Sequence, residues 1–173
     1  MTITRRSLLL LGTAFAGIAM LPFAVRWTGA ALGADGYGPV PGDFEVKHTD
    51  EEWMQILGPE AYYIMREQGT ERPWTSALLD EHREGTFHCA GCDLPLFDAS
   101  TKYDSRTGWP SFWQPLDNAV GTITDTYLLV ERTEVHCRRC GGHLGHVFDD
   151  GPAPTGLRYC MDGLALKFVP KAA

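Results

Sequence analysis

The chain has 173 residues, 44% of them apolar and 21% charged, enough for one well-filled domain and too few for two. Its 19 glycines and 11 prolines cut the apolar stretches into short pieces, which favours strands and loops over long helices. The formal charge is −7; an acidic surface repels phosphate backbones, so nucleic acid is not an expected partner.

Residues 1–33 read as a targeting segment separate from the domain. Arg5 and Arg6 are followed by 18 apolar-rich residues, 8–25, interrupted by Gly12 and Gly17, and Thr4-Arg5-Arg6-Ser7-Leu8-Leu9 resembles a twin-arginine export signal. An ordinary signal peptide and an uncleaved anchor are the alternatives, since 18 residues lie at the short edge of what spans a bilayer. No acidic residue precedes Asp35, so loss of Arg5, Arg6 and Arg26 takes the charge from −7 to −10. The expected location is the periplasm, free or membrane-anchored, with any membrane contact confined to this segment. Residues 34–48, rich in Gly, Pro and Asp, read as a linker, and the domain is expected over 49–170.

Thr49-Asp50-Glu51-Glu52 has the Thr-x-x-Glu form of a capping box, followed by Trp53, Ile56 and Leu57 at helical spacing. This predicts a short helix closed by Gly58-Pro59, then a second over 60–68 that ends before Gly69-Thr70-Glu71. Beyond residue 86 the segments 122–130, 133–136 and 164–169 are rich in β-branched and aromatic residues and separated by turn clusters, which predicts strands. The class is mainly β with short N-terminal helices.

Five cysteines divide into Cys89-Ala90-Gly91-Cys92, Cys137-Arg138-Arg139-Cys140 and a remaining Cys160. Two Cys-x-x-Cys pairs supply the four thiolates of a closed tetrahedral zinc site, one ion per chain, with no position left for substrate; two disulfides or a redox dithiol are the alternatives. Gly91 and Gly141 suit the positive φ of a metal knuckle. His88 and His136 each precede a pair and are read as bystanders.

Cys160 lies in Leu157-Arg158-Tyr159-Cys160-Met161-Asp162-Gly163, where Arg158 offers a cation that favours a thiolate. A lone cysteine is by default a small buried hydrophobe. Its company raises another reading: His143-Leu144-Gly145-His146 supplies imidazoles that carry protons near neutral pH, and Trp109 sits in the stiff segment Gly108-Trp109-Pro110-Ser111-Phe112.

In this order, the segments Gly69-Thr70-Glu71, Cys89-x-x-Cys92, Gly108-Trp109-Pro110-Ser111-Phe112, Glu134-Val135-x-Cys137-x-x-Cys140, His143-Leu144-Gly145-His146-Val147-Phe148 and Gly156-x-Arg158-Tyr159-Cys160 closely resemble the type B methionine sulfoxide reductases, over about residues 51–169. The resemblance implies two antiparallel sheets, with structural zinc away from the active site. It implies Cys160 as nucleophile, His143 and His146 near the sulfoxide oxygen, and Trp109 against the substrate methyl group. It also implies reduction of the R epimer of methionine sulfoxide, free or in proteins, leaving a cysteine sulfenic acid. The chain is expected to be a monomer.

Two positions depart from that pattern. Thr107 stands where many members carry a resolving cysteine, so an external thiol, thioredoxin-like or small, is expected to recycle Cys160. Asp162 replaces the usual asparagine, and a carboxylate beside a thiolate raises the thiol pKa unless it is neutral or paired. A zinc-held binding module of the same fold and a thiol peroxidase are the competing readings.

Overall fold

The computed structural model of the chain describes residues 40–126 and 131–172. The targeting segment, the first part of the linker and the last four residues of the strand expected over 122–130 lie outside them. Among the described residues no helix is long and apolar enough to cross a membrane.

Helix α1 (Asp50–Glu67) begins with the expected capping box: Thr49 Oγ1 accepts from the Glu52 amide at 3.2 Å, and Glu52 returns a carboxylate to the Thr49 amide at 2.9 Å. The two expected helices are found end to end, joined across a kink. Gly58 (φ 71°, ψ 168°) breaks the helical path just before Pro59, because proline disfavours a helical residue ahead of it and has no N–H to donate. The helix resumes at once, and the two halves bury Trp53 before the kink and Ala61, Tyr62, Ile64 and Met65 after it.

Among the described residues nine strands follow: β1 (Gly85–Cys89), β2 (Pro95–Asp98), β3 (Lys102–Tyr103), β4 (Ser111–Phe112), β5 (Val120–Asp125), β6 (Arg132–Cys137), β7 (His143–Phe148), β8 (Arg158–Met161) and β9 (Leu166–Pro170). They form two antiparallel sheets, one of three strands ordered β2-β1-β9 and one of six ordered β3-β4-β8-β7-β6-β5. The segment expected as a strand over 164–169 starts two residues late, since residues 163–165 make a tight helical turn first.

Alternation puts Phe87 of β1, Phe97 of β2, Phe112 of β4, Val135 of β6, Leu144 of β7 and Met161 of β8 into one core, each fully buried. Phe97 and Phe112 stack at 4.3 Å, with Phe87 edge-on to Phe112 at 4.9 Å. Burying one such ring contributes roughly 2–3 kcal/mol. This aromatic wedge fixes β4 beside β8, and so fixes what lies on their other face.

Candidate active site and metal centre

The four paired cysteines come from two turns. Cys89 ends β1 and Cys137 ends β6; Cys92 and Cys140 sit in the turns that follow. In each turn a backbone N–H returns to the first cysteine's carbonyl, Asp93 to Cys89 and Gly141 to Cys137, both at 2.9 Å. All four sulfurs lie within 4.8 Å of one another, with Cys89 to Cys140 at 3.6 Å and Cys92 to Cys137 at 3.5 Å. A tetrahedron with metal–sulfur bonds of 2.3 Å has edges of about 3.8 Å, so the donor set fits one soft metal ion. None of the five cysteines is in a disulfide.

Gly141 has the expected positive φ of 68°, but in the other knuckle the left-handed residue is Asp93 (φ 61°), not Gly91. Gly91 sits in a close approach instead: a Cβ there would meet the Trp53 ring at 3.2 Å, tighter than an ordinary contact. His88 bonds the Asp93 carbonyl at 3.0 Å and His136 packs edge-on to Phe44; neither joins the cluster.

The second sulfur site is built across strands. In a regular strand His143 and His146, three residues apart, would face opposite sides. Between β6 and β7 the register passes from Val135↔Gly145 to His136↔His143, so Leu144 is an extra residue on β7. This bulge resets the alternation, and the two imidazoles meet with centroids 5.4 Å apart. Gly145 makes it possible: its φ is 144°, and a Cβ would overlap the Cys160 carbonyl oxygen.

On β8, Cys160 pairs with His146 of β7 on one side and Ser111 of β4 on the other. The thiol is partly exposed. Its pKa is pushed up by burial, lowered by a hydrogen bond from Thr107 and by the Arg158 charge, and raised by Asp162. Arg158 favours the thiolate, as the sequence suggests, through its charge and a hydrogen bond, and it is shared with Asp150. Its guanidinium is forked onto Asp150, with two bonds of 2.8 Å, and lies over the Phe148 ring at 4.3 Å.

Behind the thiol runs a buried polar chain. His143 Nδ1 lies 2.7 Å from Glu134 Oε1, and Glu134 Oε2 accepts from Gln68 at 3.1 Å. His143 Nε2 has no hydrogen-bond partner among the described residues; Asp162 Oδ2 stands 3.8 Å from it. Glu134, His143 and Asp162 are each at most 3% exposed. Burial pushes the Asp162 carboxyl up to about 6, against the opposing pull of the Glu71 amide and His143. His146 Nε2 bonds Asp125 at 2.8 Å, while Asp125 also accepts from Arg132. Burial holds the His146 imidazole below its ordinary value, and Asp125 partly offsets this.

Glu71 ties these parts together. Its amide donates to Asp162 at 2.7 Å, its carbonyl accepts from Trp109 Nε1 at 2.9 Å, and its carboxylate accepts from the Gly163 amide at 2.6 Å. Trp109 is thereby anchored by its only polar atom, with its ring half-buried. The structure thus gathers Cys160, His146, His143, Asp162 and Trp109, and sets Arg158 beside them. Sequence reasoning missed the roles of Glu71, Glu134 and Asp125. Glu71 and Glu134 lie inside quoted segments, but nothing in their spacing marks them as buried; Asp125 carries no local signal. Such an assembly pairs a nucleophilic sulfur with proton-bearing imidazoles, the minimum for reducing an oxidised sulfur or for acyl transfer.

Comparison with known proteins separates these chemistries. The family model for the SelR domain matches residues 57–170. Curated relatives of the chain carry the name peptide methionine sulfoxide reductase MsrB. That of Pseudomonas putida (strain W619) is 52% identical over 128 residues, 73% of this chain and 96% of the relative. That of Leptospira interrogans is 51% identical over 73% of this chain and 97% of the relative, and that of Thiobacillus denitrificans 54% identical over 71% and 94%.

Proposed function

The chain belongs to the SelR-domain family of peptide methionine sulfoxide reductases, and from that premise we propose that it reduces the R epimer of methionine sulfoxide, in proteins, with Cys160 as the attacking thiolate. It is a thiol-dependent oxidoreductase. The observation that carries the reading is the pairing of Cys160 with His146 across β7 and β8, Cys160 being the one cysteine outside the metal cluster.

A sulfoxide sulfur resists attack until its oxygen takes a proton or a strong hydrogen bond. Cys160 attacks the sulfoxide; the oxygen and one proton end on the cysteine sulfur as a sulfenic acid, and methionine leaves reduced by two electrons. Two equivalents of an external thiol, or one dithiol, then return Cys160 to the thiol, giving a disulfide and water. His146, held by Asp125, and His143, held by Glu134, are assigned to the oxygen, and the Trp109 face to the substrate methyl. The metal assigned to the four thiols is zinc, as a structural ion that holds the two turns together.

Turnover of separated R and S epimers with a dithiol reductant tests the reading, and activity on the S epimer alone would overturn it. Cys160→Ser abolishes reduction while keeping metal and fold; near-normal turnover would remove Cys160 as the nucleophile. The periplasmic location rests on the Arg5-Arg6 segment, which lies outside the described residues. Lysine at both positions is expected to retain the protein in the cell, and unchanged export would reject the twin-arginine route.

A further inference from the structure

Cys160 is the end of a line of hydroxyls. Its Sγ lies 3.8 Å from Thr107 Oγ1, a separation that sulfur's larger radius still allows for a hydrogen bond. Thr107 Oγ1 is 2.8 Å from Ser105 Oγ, Ser105 Oγ is 2.7 Å from Ser111 Oγ, and Ser111 Oγ is 3.1 Å from the Trp109 carbonyl. Ser111 is fully buried, and β4 fixes it directly beside Cys160.

Each hydroxyl has one proton to give. With Cys160 as a thiol there are four protons for four contacts, and the carbonyl at the far end can only accept. The full assignment runs one way: thiol to Thr107, Thr107 to Ser105, Ser105 to Ser111, Ser111 to the Trp109 carbonyl. A thiolate can only accept. Thr107 must then turn its proton to the sulfur, and Ser105 turns toward Thr107. The two protonation states of Cys160 therefore select opposite donor directions at its end of the chain.

We propose that Thr107 is a catalytic residue whose hydroxyl donates to the Cys160 thiolate and afterwards to the sulfenate, backed by Ser105 and Ser111. This rests on Cys160 being the attacking sulfur. Of the groups that face Cys160, Thr107 and Arg158 favour the thiolate, and Thr107 alone of the two is backed by a line of hydroxyls. Arg158, two residues away, forks onto Asp150 and also favours the thiolate through its charge and a hydrogen bond; Asp162 works against the thiolate; His146 on β7 is bonded to Asp125; and Tyr103 on β3 is a phenol, ionised only at high pH. In a chain without a resolving thiol at this position, the hydroxyl stabilises the oxidised sulfur while an external reductant arrives.

The test compares Thr107→Val, which keeps the shape and removes the hydroxyl, with Thr107→Ser, which keeps the hydroxyl. The readout is the rate of Cys160 alkylation against pH in zinc-loaded protein, measured on the Cys160 peptide by mass. Valine is expected to move the ionisation of Cys160 up by about one pH unit, the scale of one hydrogen bond to a charged group, and serine to restore most of it. Below that pH, kcat/KM for the valine variant falls about ten-fold, in step with the lost thiolate, and recovers as the pH rises. A valine variant that titrates like the parent, valine and serine shifted alike, or a rate loss that persists at every pH would each overturn the proposal. Cys160→Ser in the same turnover assay separates the two claims: full activity there sinks the assignment of Cys160 itself, whereas its loss beside an unshifted Thr107→Val sinks only the role of Thr107.

Discussion

Cys89, Cys92, Cys137 and Cys140 share a side chain with Cys160, but they are held in opposite ways. The four cluster thiols sit in turns at strand ends, nearly all buried, with sulfur facing sulfur at 3.5–3.6 Å for the closest pairs. Cys160 sits within a strand, partly exposed, facing hydroxyls and imidazoles. In the first region each pair is shaped by its own local turn, and Arg139 at the Cys92 carbonyl and Arg66 at the Cys140 carbonyl brace the turns from elsewhere in the chain. In the second almost every partner is distant: Thr107, Ser111 and His146 reach Cys160 only because β4 and β7 flank β8. A local site depends on its ligands; a site assembled across strands depends on register.

Removing the metal gives the largest expected effect. Four thiols at these distances without an ion would repel once ionised, and structural zinc in small domains supplies about 10–16 kcal/mol of binding energy coupled to folding, comparable with or above a whole domain's stability of about 5–15 kcal/mol. Cys137→Ser, or exhaustive chelation, is therefore expected to abolish cooperative unfolding near room temperature, followed by circular dichroism with metal content measured alongside. A metal-free chain that still melts cooperatively at the parent temperature would remove the structural role from the first region.

Gly145→Ala attacks register rather than ligands. A methyl group at φ 144° that overlaps the Cys160 carbonyl must push β7 from β8 or straighten the bulge, at a cost of about 3–5 kcal/mol, the large end for one substitution. The metal should stay bound, because Cys137 and Cys140 precede the bulge. Activity should fall further than stability, measured well below the melting temperature, since a straightened β7 separates His143 from His146. Equal losses of the two would mean that the bulge serves packing alone.

This contrast decides what could be read in advance. The cysteine spacing named the cluster outright, and the Thr49 capping box and the β-branched content of 133–136 named their elements, because each signal lies within a few residues. The bulge at Leu144 is invisible in a string of letters. His143 and His146 could be named as proton carriers only through their company, and their meeting on one face follows from a register shift against β6. Glu134 and Asp125 escaped for the same reason: each is defined by a histidine 9 or 21 residues away. The positive φ expected at Gly91 falls on Asp93, since spacing cannot say which residue of a knuckle takes the left-handed turn.

The smallest predicted effect concerns Asp162, which joins the buried chain to Cys160. Its Oδ1 accepts from the Glu71 amide at 2.7 Å, and Oδ2 faces His143 Nε2 at 3.8 Å. Asparagine would keep the first bond and turn an N–H toward His143, giving one fixed charge state where aspartate has two. The native carboxyl, pushed up from 3.8 to about 6 by burial, binds its proton more tightly than in the unfolded chain. Between about pH 4 and 6 the folded state therefore holds more protons, and stability falls as pH rises through this window, by about 3 kcal/mol at most; below it the contribution is fully present, and above it the loss is complete. Asp162→Asn removes that slope, so its melting temperature should gain on the parent from pH 4 to pH 6 and run parallel above. The ionised carboxylate also raises the Cys160 thiol. Asparagine should then let Cys160 ionise at lower pH, a shift opposite in sign to that of Thr107→Val, read by the same alkylation profile. If neither the melting curve nor the alkylation profile moves, Asp162 stays in one protonation state throughout, and the buried chain is a brace for Glu71 and Trp109, electrostatically separate from the thiol.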